Sequence, residues 1–386
     1  RGSMRAASAS TTVADPYRAG VALGEALEPL APEVVLLFTS IHYGEQGGEL
    51  LGGLHDVLGE VAVFGNTGDG FYERARVGHS GAAALGLNTG GAVSWLGAEA
   101  SGVTADPAAC TRAALARLDG LAGGRRPKLL LLDVDFHADG SAVERALRDL
   151  EMPVVGGFAG DDYRFERCFQ YLGDRVLRDS VVLLGAYGEL EFDIRIGNTL
   201  RPVGAPGRIT QALGTRVLGI DGIGAMDFVL RETGKPVLRT DRGSVAMVVA
   251  DAANPAIKRI RSVMPVLDDP GSVVLAGGIE AGQSVQVCFA SPEALIAEVY
   301  AIAARARERI APRAAVVFSC GGRKEVLGGQ IEHEIIALSQ AFPDGLPLVG
   351  FPSLGEFGPL RDATGGYTSS LFHNMTFVLL LVGEKA

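Results

Sequence analysis

The segment LPLVGFPSLGEFGP, residues 346–359, changes its character halfway along its length. It begins as a short apolar run typical of a buried strand, and it continues with glycines and prolines that interrupt regular structure. A single carboxylate, Glu356, lies among these residues. In open α/β sheets the loops at the carboxyl ends of parallel strands carry the binding groups. The segment therefore predicts a strand of such a sheet followed by a functional loop.

Two earlier segments have the same form. GNTGDGFYE (65–73) and GGFAGDDYRFE (156–166) each follow an apolar strand and combine glycines with acids, Asp69 in the first and Asp161 with Asp162 in the second. Glycine allows backbone N–H groups to approach a ligand without an intervening side chain. We therefore interpret the three loops as equivalent parts of a repeated unit.

The repeated unit begins with a helix-start signal, an N-cap residue followed by proline. This signal occurs at Asp15-Pro16, Asp106-Pro107 and Ser291-Pro292. Each is followed by a helix rich in Ala and Leu, an apolar strand (VVLLF at 34, LLLLDV at 129, AAVVF at 314), a second helix and a second apolar strand. A closing strand follows, as AVSWLG, SVVLLGAY or TFVLLLVG. Strands joined by a helix run parallel with a right-handed crossover.

The predicted fold class is α/β, with mixed β-sheets that have parallel βαβ cores and outer helices, in repeated units and two domains. Residues 1–15 are interpreted as an expression-tag remnant and a disordered tail, 16–200 as the N-terminal domain and 201–386 as the C-terminal domain. Residues 208–290 fit the repeat less well, because they are mostly strand-like with one short helix.

Composition narrows the function classes. The net charge is −10 with scattered basic residues, which disfavours nucleic-acid binding. The four cysteines are far apart and no histidines are spaced as a helical metal pair, so we expect no metal site. No apolar run is long enough to span a bilayer, and the cysteine content is typical of a cytoplasmic protein. Walker A and dinucleotide-binding motifs are also missing.

Several motifs together resemble the FIST family of bacterial sensory domains. In the C-terminal half these are VFSCGGR (317–323), IEHEI (331–335), GFPSLGEFGP and LFHNMTFVLL (371–380); LLFTS, FGNTGDGFYE and VGGFAGDDYRF are similar in the N-terminal half. The resemblance implies a small-molecule-binding sensory protein in signal transduction, with an amino acid or a similar small polar metabolite as its ligand. Many family members are fused to kinases or cyclases, so a separate signalling kinase or cyclase is the expected partner here. Some members bind haem and respond to nitric oxide.

The ligand is expected in the C-terminal half, because parallel strands would bring the loops after two of them to the same sheet edge. A guanidinium and a carboxylate there suit a zwitterion, aromatic rings supply apolar walls and glycines expose N–H donors. The expected ligand-binding residues are Arg323, Gly355, Glu356, Phe357, His373 and Asn374, with Phe351 as a further wall. A secondary N-terminal site is expected at Asn66, Thr67, Asp69, Asp161 and Asp162.

Each of the main candidates has an alternative interpretation. Cys320 could be a nucleophile assisted by Glu356 and His373, which would make the chain an enzyme, or a small buried residue. Arg323 could instead form a salt bridge with Glu332 or Glu334, and Glu356 could cap backbone N–H groups. His373 could be a haem ligand, a base or a structural anchor. We expect no cofactor, and haem belongs only to the nitric-oxide-sensor alternative.

Overall fold

The computed structural model describes residues 2–241 and 243–386. In this part of the chain there are eight α-helices and four short 3-10 helices. The α-helices are α1 (Pro16–Leu27), α2 (Gly47–Leu58), α3 (Pro107–Ala122), α4 (Gly140–Leu147), α5 (Ala225–Thr233), α6 (Pro292–Ala304), α7 (Gly321–Leu327) and α8 (Ile331–Gln340). The 3-10 helices are Glu28–Leu30, Ile41–Gln46, Arg239–Asp241 and Gly328–Gln330.

The strands are numbered along the chain. Those before residue 200 are β1 (Arg5–Thr11), β2 (Val34–Ser40), β3 (Ala62–Gly68), β4 (Phe71–Glu73), β5 (Arg76–Gly78), β6 (Ala82–Asn88), β7 (Val93–Ser101), β8 (Leu129–Val134), β9 (Val154–Phe158), β10 (Gln170–Leu172), β11 (Arg175–Leu177), β12 (Ser180–Gly188) and β13 (Glu191–Gly197). The later ones are β14 (Arg201–Pro202), β15 (Gly207–Leu213), β16 (Arg216–Ile220), β17 (Ile223–Gly224), β18 (Val245–Ala250), β19 (Lys258–Pro265), β20 (Val273–Leu275), β21 (Ser284–Phe289), β22 (Ile310–Cys320), β23 (Leu348–Ser353), β24 (Glu356–Gly358), β25 (Leu371–His373) and β26 (Phe377–Lys385).

Three mixed sheets are built on the same plan. The first has the strand order β1-β6-β2-β3-β10-β11, the second β25-β24-β9-β8-β12-β7 and the third β13-β26-β22-β23-β4-β5. At the centre of each sheet two strands run parallel, β2 with β3, β8 with β9 and β22 with β23, and all other pairings are antiparallel. This arrangement confirms the predicted α/β fold class with parallel βαβ cores.

The helix starts predicted from the acid-proline and serine-proline pairs are confirmed. Asp15, Asp106 and Ser291 each lie at an N-cap, and their side chains accept hydrogen bonds from the backbone N–H three residues later, at 2.8, 3.0 and 3.3 Å. The proline that follows occupies the first helical turn, where its missing N–H has no intrahelical partner to lose. These helices cover the outer faces of the three sheets.

The inner faces of the three sheets share one apolar core. Phe38 of the first sheet packs against Phe318 and Phe351 of the third, with ring centroids 6.3 and 4.9 Å apart. Leu131 and Val155 extend this core to the second sheet. Phe351, which we expected as a wall of the ligand site, is therefore a core residue with 1% of its surface exposed.

Short hairpins are exchanged between the three sheets. The hairpin β4-β5, which follows the strands of the first sheet, pairs with β23 of the third; β24-β25 pairs with β9 of the second, and β10-β11 pairs with β3 of the first. Gly350, Gly156 and Gly65 occupy equivalent positions in the strands that receive the hairpins. A Cβ atom at these glycines would lie only 2.0, 1.7 and 1.6 Å from a backbone carbonyl oxygen of the neighbouring parallel strand.

We expect Gly350→Ala to lower the free energy of unfolding by about 1–3 kcal/mol, because the added methyl group meets rigid backbone rather than a mobile side chain. Urea unfolding measures the change. Gly120→Ala is the matched control, since Gly120 lies inside α3 with nothing within 4 Å of its added Cβ. Helix propensity should make that variant about 0.5–1 kcal/mol more stable. Equal unfolding midpoints for the two variants would contradict the close approach at Gly350.

A separate β-barrel occupies residues 207–289. Strands β21, β15, β16, β20, β19 and β18 pair in that order, and β18 pairs back with β21 to close the ring. Its interior is filled by an apolar cluster that includes Phe228 of α5 and Met247 of β18. The sequence predicted a mostly strand-like segment with one short helix, but not the closure of its strands into a barrel.

Two expectations about the N-terminal region are wrong. Residues 5–11 are not part of a disordered tail, because they form β1, which pairs antiparallel with β6 along its whole length. The strand that begins in AVSWLG does not close the first sheet. It is β7, which lies at the edge of the second sheet beside β12, while β6 takes the closing position in the first.

Candidate functional site

The loops at the carboxyl ends of the central parallel strands meet at one end of the three-sheet body. We call residues 67–70, 159–168, 320–324 and 353–355 the apical loops. Thr67 Oγ1 donates a hydrogen bond to the Gly160 carbonyl at 2.9 Å, and the Asp69 N–H donates to the Pro352 carbonyl at 3.4 Å. Lys324 Nζ donates to the Asp69 carbonyl at 2.5 Å. Loops that are distant in sequence are thus joined in one structure.

One apical loop is held in a strained conformation. Asp162, Tyr163 and Phe165 have φ angles of 63°, 60° and 56°, in the left-handed region that non-glycine residues rarely adopt. Asp69 Oδ1 accepts the N–H groups of Asp162 and Tyr163 at 2.7 and 3.2 Å. Asp161 accepts three further N–H groups, from residues 165, 166 and 167. Backbone strain that the surroundings maintain in this way clusters at functional sites.

A cavity of about 740 Å³ separates the apical loops from the barrel, and we call it the junction cavity. Its size is within the range typical of small-molecule sites. The residues that line it are Tyr163, Phe165, Arg239, Thr240, Gly243, Ser262, Met264, Ala276, Cys320, Gly322, Glu325, Ser353, Leu354 and Asn374. Phe165 and Met264 are 57% and 40% exposed, so two large apolar side chains face solvent at this cavity.

Asn374, one of the predicted ligand-binding residues, lines the junction cavity. Its Oδ1 accepts the Ser262 N–H at 3.1 Å, and its Nδ2 donates to the His373 carbonyl at 3.1 Å. Its own N–H donates to the Ile260 carbonyl at 3.1 Å. Asn374 therefore ties the turn between β25 and β26 to strand β19 of the barrel.

Glu356 lies behind the cavity wall and is fully buried. Ser353, which lines the cavity, donates its hydroxyl to Glu356 Oε2 at 2.7 Å. Thr376 donates both its hydroxyl and its N–H to Glu356 Oε1, at 2.7 and 3.2 Å. Burial raises the pKa of Glu356 to about 8, against the lowering effect of these hydrogen bonds. The carboxyl group is therefore mainly protonated at neutral pH.

Arg323 does not line the junction cavity. Its guanidinium is fully buried and donates to Glu334 Oε1 at 3.0 Å, to Glu298 Oε1 at 3.1 Å and to the Leu295 carbonyl at 3.2 Å. These partners lie on α6 and α8, behind the third sheet. The geometry favours the salt-bridge interpretation of Arg323. Glu334 is one of the two partners that the sequence suggested, and Glu298 is a partner that it did not.

The other predicted C-terminal residues lie around Glu356 and do not line the cavity. Phe357 packs between Phe158 and Phe372, with ring centroids 5.6 and 5.3 Å away. Gly355 has a φ of 154° and accepts the Phe158 N–H through its carbonyl. His373 is fully buried with a ring nitrogen, Nε2, 3.0 Å from the Gly358 carbonyl, and burial lowers its pKa to about 4. This ring is neutral at physiological pH.

Cys320, Glu356 and His373 do not form a hydrogen-bonded catalytic chain. The Cys320 sulfur lines the cavity and accepts the Gly322 N–H at 3.4 Å, while the other two side chains bind separate partners. Burial strongly raises the pKa of the Cys320 thiol, which disfavours the thiolate. His373 also does not fit the role of a haem ligand, because it is enclosed and does not line the cavity.

The predicted N-terminal residues come together but act on the loops rather than on the cavity. Asn66 Nδ2 donates to the Thr67 carbonyl, and Thr67 Oγ1 accepts the Phe169 N–H. Burial raises the pKa of Asp69 to about 7, and its Oδ2 has no hydrogen-bond partner among the described residues. With Asp161 and Asp162, these residues fasten the loop that presents Tyr163 and Phe165 to the cavity.

Sequence reasoning missed the cavity residues from the barrel and from the strained loop. Ser262, Met264 and Ala276 belong to the segment that departs from the repeat, and nothing in their local sequence marks them. Ser353 and Tyr163 lie within the motifs quoted above, but the prediction rested on the acids beside them.

Neither a metal cluster nor a membrane-spanning helix is present in the described chain. Among residues 2–241 and 243–386 no group of three or more His, Cys, Asp or Glu side chains is placed to hold a metal ion. None of the helices in that part of the chain is both long and apolar enough to cross a membrane.

Comparison with known proteins gives two adjoining family matches. Residues 33–223 match the FIST N domain and residues 225–359 match the FIST C domain. An uncharacterized protein of Methanocaldococcus jannaschii is 36% identical over 75 residues, which are 19% of this chain and 15% of that protein. An uncharacterized protein of Mycobacterium bovis is 25% identical over 257 residues, which are 63% of this chain and 66% of that protein.

Among solved structures, the cyanuric acid hydrolase of A. caulinodans aligns over 99% of both chains, with a TM-score of 0.35 and 10% identity. PurLQS from Thermotoga maritima aligns over 99% of this chain and 72% of its own, with a TM-score of 0.24 and 10% identity. Both TM-scores are below 0.5, so these similarities carry no conclusion about this chain.

Proposed function

The chain belongs to the FIST family, and we propose from this that it is a bacterial cytoplasmic sensory protein that binds a small polar molecule in the junction cavity. FIST domains are associated with small-ligand sensing in signal transduction. The observation that carries the proposal is the cavity itself, which lies at the carboxyl ends of the parallel strands and is closed on its other side by the barrel. Four free cysteines, all buried, suit a reducing compartment.

An amino acid is the ligand class that suits the lining best. Arg239 is an exposed cation at the cavity and can bind a carboxylate. Asn374 and the hydroxyl groups of Ser262 and Ser353 offer hydrogen bonds to an ammonium or other polar group. Phe165 and Met264 provide apolar contact for a side chain. Ligand binding in the cavity would change the position of the barrel relative to the apical loops. A separate signalling kinase or cyclase would respond to that change of position.

We expect Ala276→Trp to weaken ligand binding at least tenfold, because the indole would fill part of the junction cavity. Ala276 is exposed, so the larger side chain does not disturb a core. A thermal-shift screen of amino acids identifies the ligand first, since a ligand at about 100 times its Kd adds roughly 2.7 kcal/mol of stability. An amine that has the same side chain as the identified amino acid but no carboxylate should bind more weakly, because it offers no partner to Arg239.

The matched control is Ala113→Trp on the exposed face of α3, away from the cavity. This variant should bind like the parent protein. If Ala276→Trp folds and binds the amino acid with unchanged affinity, the ligand does not occupy the junction cavity. If no amino acid stabilises the parent protein, the ligand class is wrong.

A further inference from the structure

A second cleft lies on the other side of strand β19 from the junction cavity. Successive side chains of a strand point to opposite faces. Ser262 and Met264 line the junction cavity, whereas Arg259 and Arg261 line this second cleft. It has a volume of about 470 Å³ and is bounded by α4 on one side and the barrel on the other. We call it the arginine cleft.

Arg261 is buried in the arginine cleft without an anionic partner. Only 2% of its surface is exposed. Its Nη1 donates to two carbonyl oxygens, that of Phe372 at 2.6 Å and that of Ile260 at 3.3 Å. The guanidinium carbon lies 5.0 Å from the centre of the Phe372 ring, and Gly277 packs against Nε. It forms no ion pair with any residue that the structure describes.

The half-buried Arg259 and the fully buried Arg323 are both compensated by acids. The neighbouring Arg259 binds both oxygens of Glu144, at 2.8 and 3.0 Å, and Asp251 at 3.4 Å. Arg323 is held by two glutamates. Burial of an uncompensated charge is costly. Burial lowers the pKa of Arg261 to about 10, against the raising effect of the nearby Glu144, and the side chain is still charged at neutral pH.

Two further arginines of the cleft have no ion pair within the described chain. Arg145 lies on α4 and Arg148 is the C-cap residue of that helix, and both are exposed. The cleft also contains four acids, but three of them are engaged: Glu144 and Asp251 with Arg259, and Asp139 as the N-cap of α4. The remaining acid, Glu280, is exposed. The lining as a whole is neutral, with four arginines and four acids, but none of these acids forms an ion pair with Arg261, Arg145 or Arg148 in the described chain.

We propose that the arginine cleft binds a small dianion, either a phosphate group or a dicarboxylate, on Arg261 with help from Arg145 and Arg148. Guanidinium groups match the geometry of both kinds of oxyanion and bind them through paired hydrogen bonds. A bound oxyanion supplies the ion-pair partner that Arg261 lacks, and Arg145 and Arg148 also have no ion pair of their own in the described chain. This inference does not depend on the proposed function, because the cleft and the junction cavity have no lining residue in common.

The test uses the full chain with inorganic phosphate and with succinate, each against sodium chloride at equal ionic strength. Binding should raise the melting temperature with saturation and should be measurable by calorimetry. Arg261→Met should weaken binding at least tenfold, since a charged hydrogen bond contributes about 1.5–3 kcal/mol. Phosphate and succinate also stabilise proteins in general, because they are excluded from the protein surface. That effect is the same in all variants, so the difference in stabilisation between the parent protein and the variants measures specific binding.

The double variant Arg145→Ala/Arg148→Ala keeps the protein testable if Arg261→Met fails to fold, because both side chains are exposed. It should weaken binding several-fold. Arg112→Ala, an exposed arginine of α3 outside the cleft, should bind like the parent protein. The stronger response of the parent protein, to phosphate or to succinate, identifies the kind of dianion. No saturable response to either, or equal responses in all variants, would overturn the proposal.

Discussion

Replacing Arg323 with methionine is expected to lower the free energy of unfolding by about 3–5 kcal/mol, which is typical of breaking a buried ion pair from one side. The substitution leaves Glu334 as a buried carboxylate whose remaining side-chain partner is the hydroxyl of Ser319. Glu334 Oε2 already lacks a hydrogen-bond partner in the described chain. Because methionine fills much of the volume of the arginine side chain, the loss of stability measures the effect of the missing charge and not that of a cavity. Urea unfolding measures it.

Two companion variants separate this explanation from others. Arg313→Met removes an exposed pair with Glu384 and should cost less than about 1 kcal/mol. The double variant Arg323→Met/Glu334→Met removes both buried charges and should recover most of the stability that the single variant loses. Ligand affinity in the folded Arg323→Met protein should be unchanged. A weakened affinity with normal stability would instead indicate that Arg323 contacts the ligand.

The parts of the fold that the sequence could predict depend on local signals. An acid or serine before proline indicates a helix start, as at Asp106, because the capping hydrogen bond reaches only three residues. Apolar runs such as that of β8 indicate a buried strand. The hairpin exchange could not be predicted in this way. It pairs Tyr72 with Gly350, and no local pattern relates positions so far apart in the chain.

The candidate site was predictable only in part for the same reason. Residue type and position at a strand end placed Asn374 and Cys320 at the cavity. They could not place Arg323, because its partner Glu298 comes from a helix outside the motif. The left-handed conformation of Tyr163 also leaves no trace in the sequence, since it is maintained by a hydrogen bond to Asp69, 94 residues away. Motifs therefore identified candidate binding groups, and only the fold could show which of them reach the cavity.

Glu356→Gln is expected to gain stability over the parent protein as pH rises. The difference in the free energy of unfolding between variant and parent should be roughly 3 kcal/mol more favourable to the variant at pH 8 than at pH 5. Burial raises the pKa of this carboxyl from 4.5 to about 8 in the folded protein, and one pKa unit corresponds to about 1.4 kcal/mol. The stabilising contribution of a raised pKa is complete below the unfolded value. It is lost as pH rises from about 4.5 towards 8, because the unfolded chain then releases a proton that the folded chain retains.

Glutamine suits the hydrogen-bond network that surrounds Glu356. Its amide oxygen can accept the two donors of Thr376. Its amide nitrogen can donate to the Ser353 oxygen once that hydroxyl turns from Glu356 to the Ser319 carbonyl, 3.5 Å away. The variant should therefore keep the native packing while removing the titration. Asp69 and Asp133, whose pKa values burial also raises, remain in both proteins, so their contributions cancel in the difference.

Urea unfolding of the parent protein and of Glu356→Gln between pH 5 and 8 measures this difference. Glu384→Gln is the control with the opposite sign, because hydrogen bonds from Arg313 lower the pKa of the half-buried Glu384. That variant should lose a little stability near neutral pH and show no gain at pH 8. Equal pH slopes for the parent protein and Glu356→Gln would mean that Glu356 is ionised in its buried position. The carboxylate would then need a cationic partner, and this result would support the hypothesis that it binds the ammonium group of a ligand.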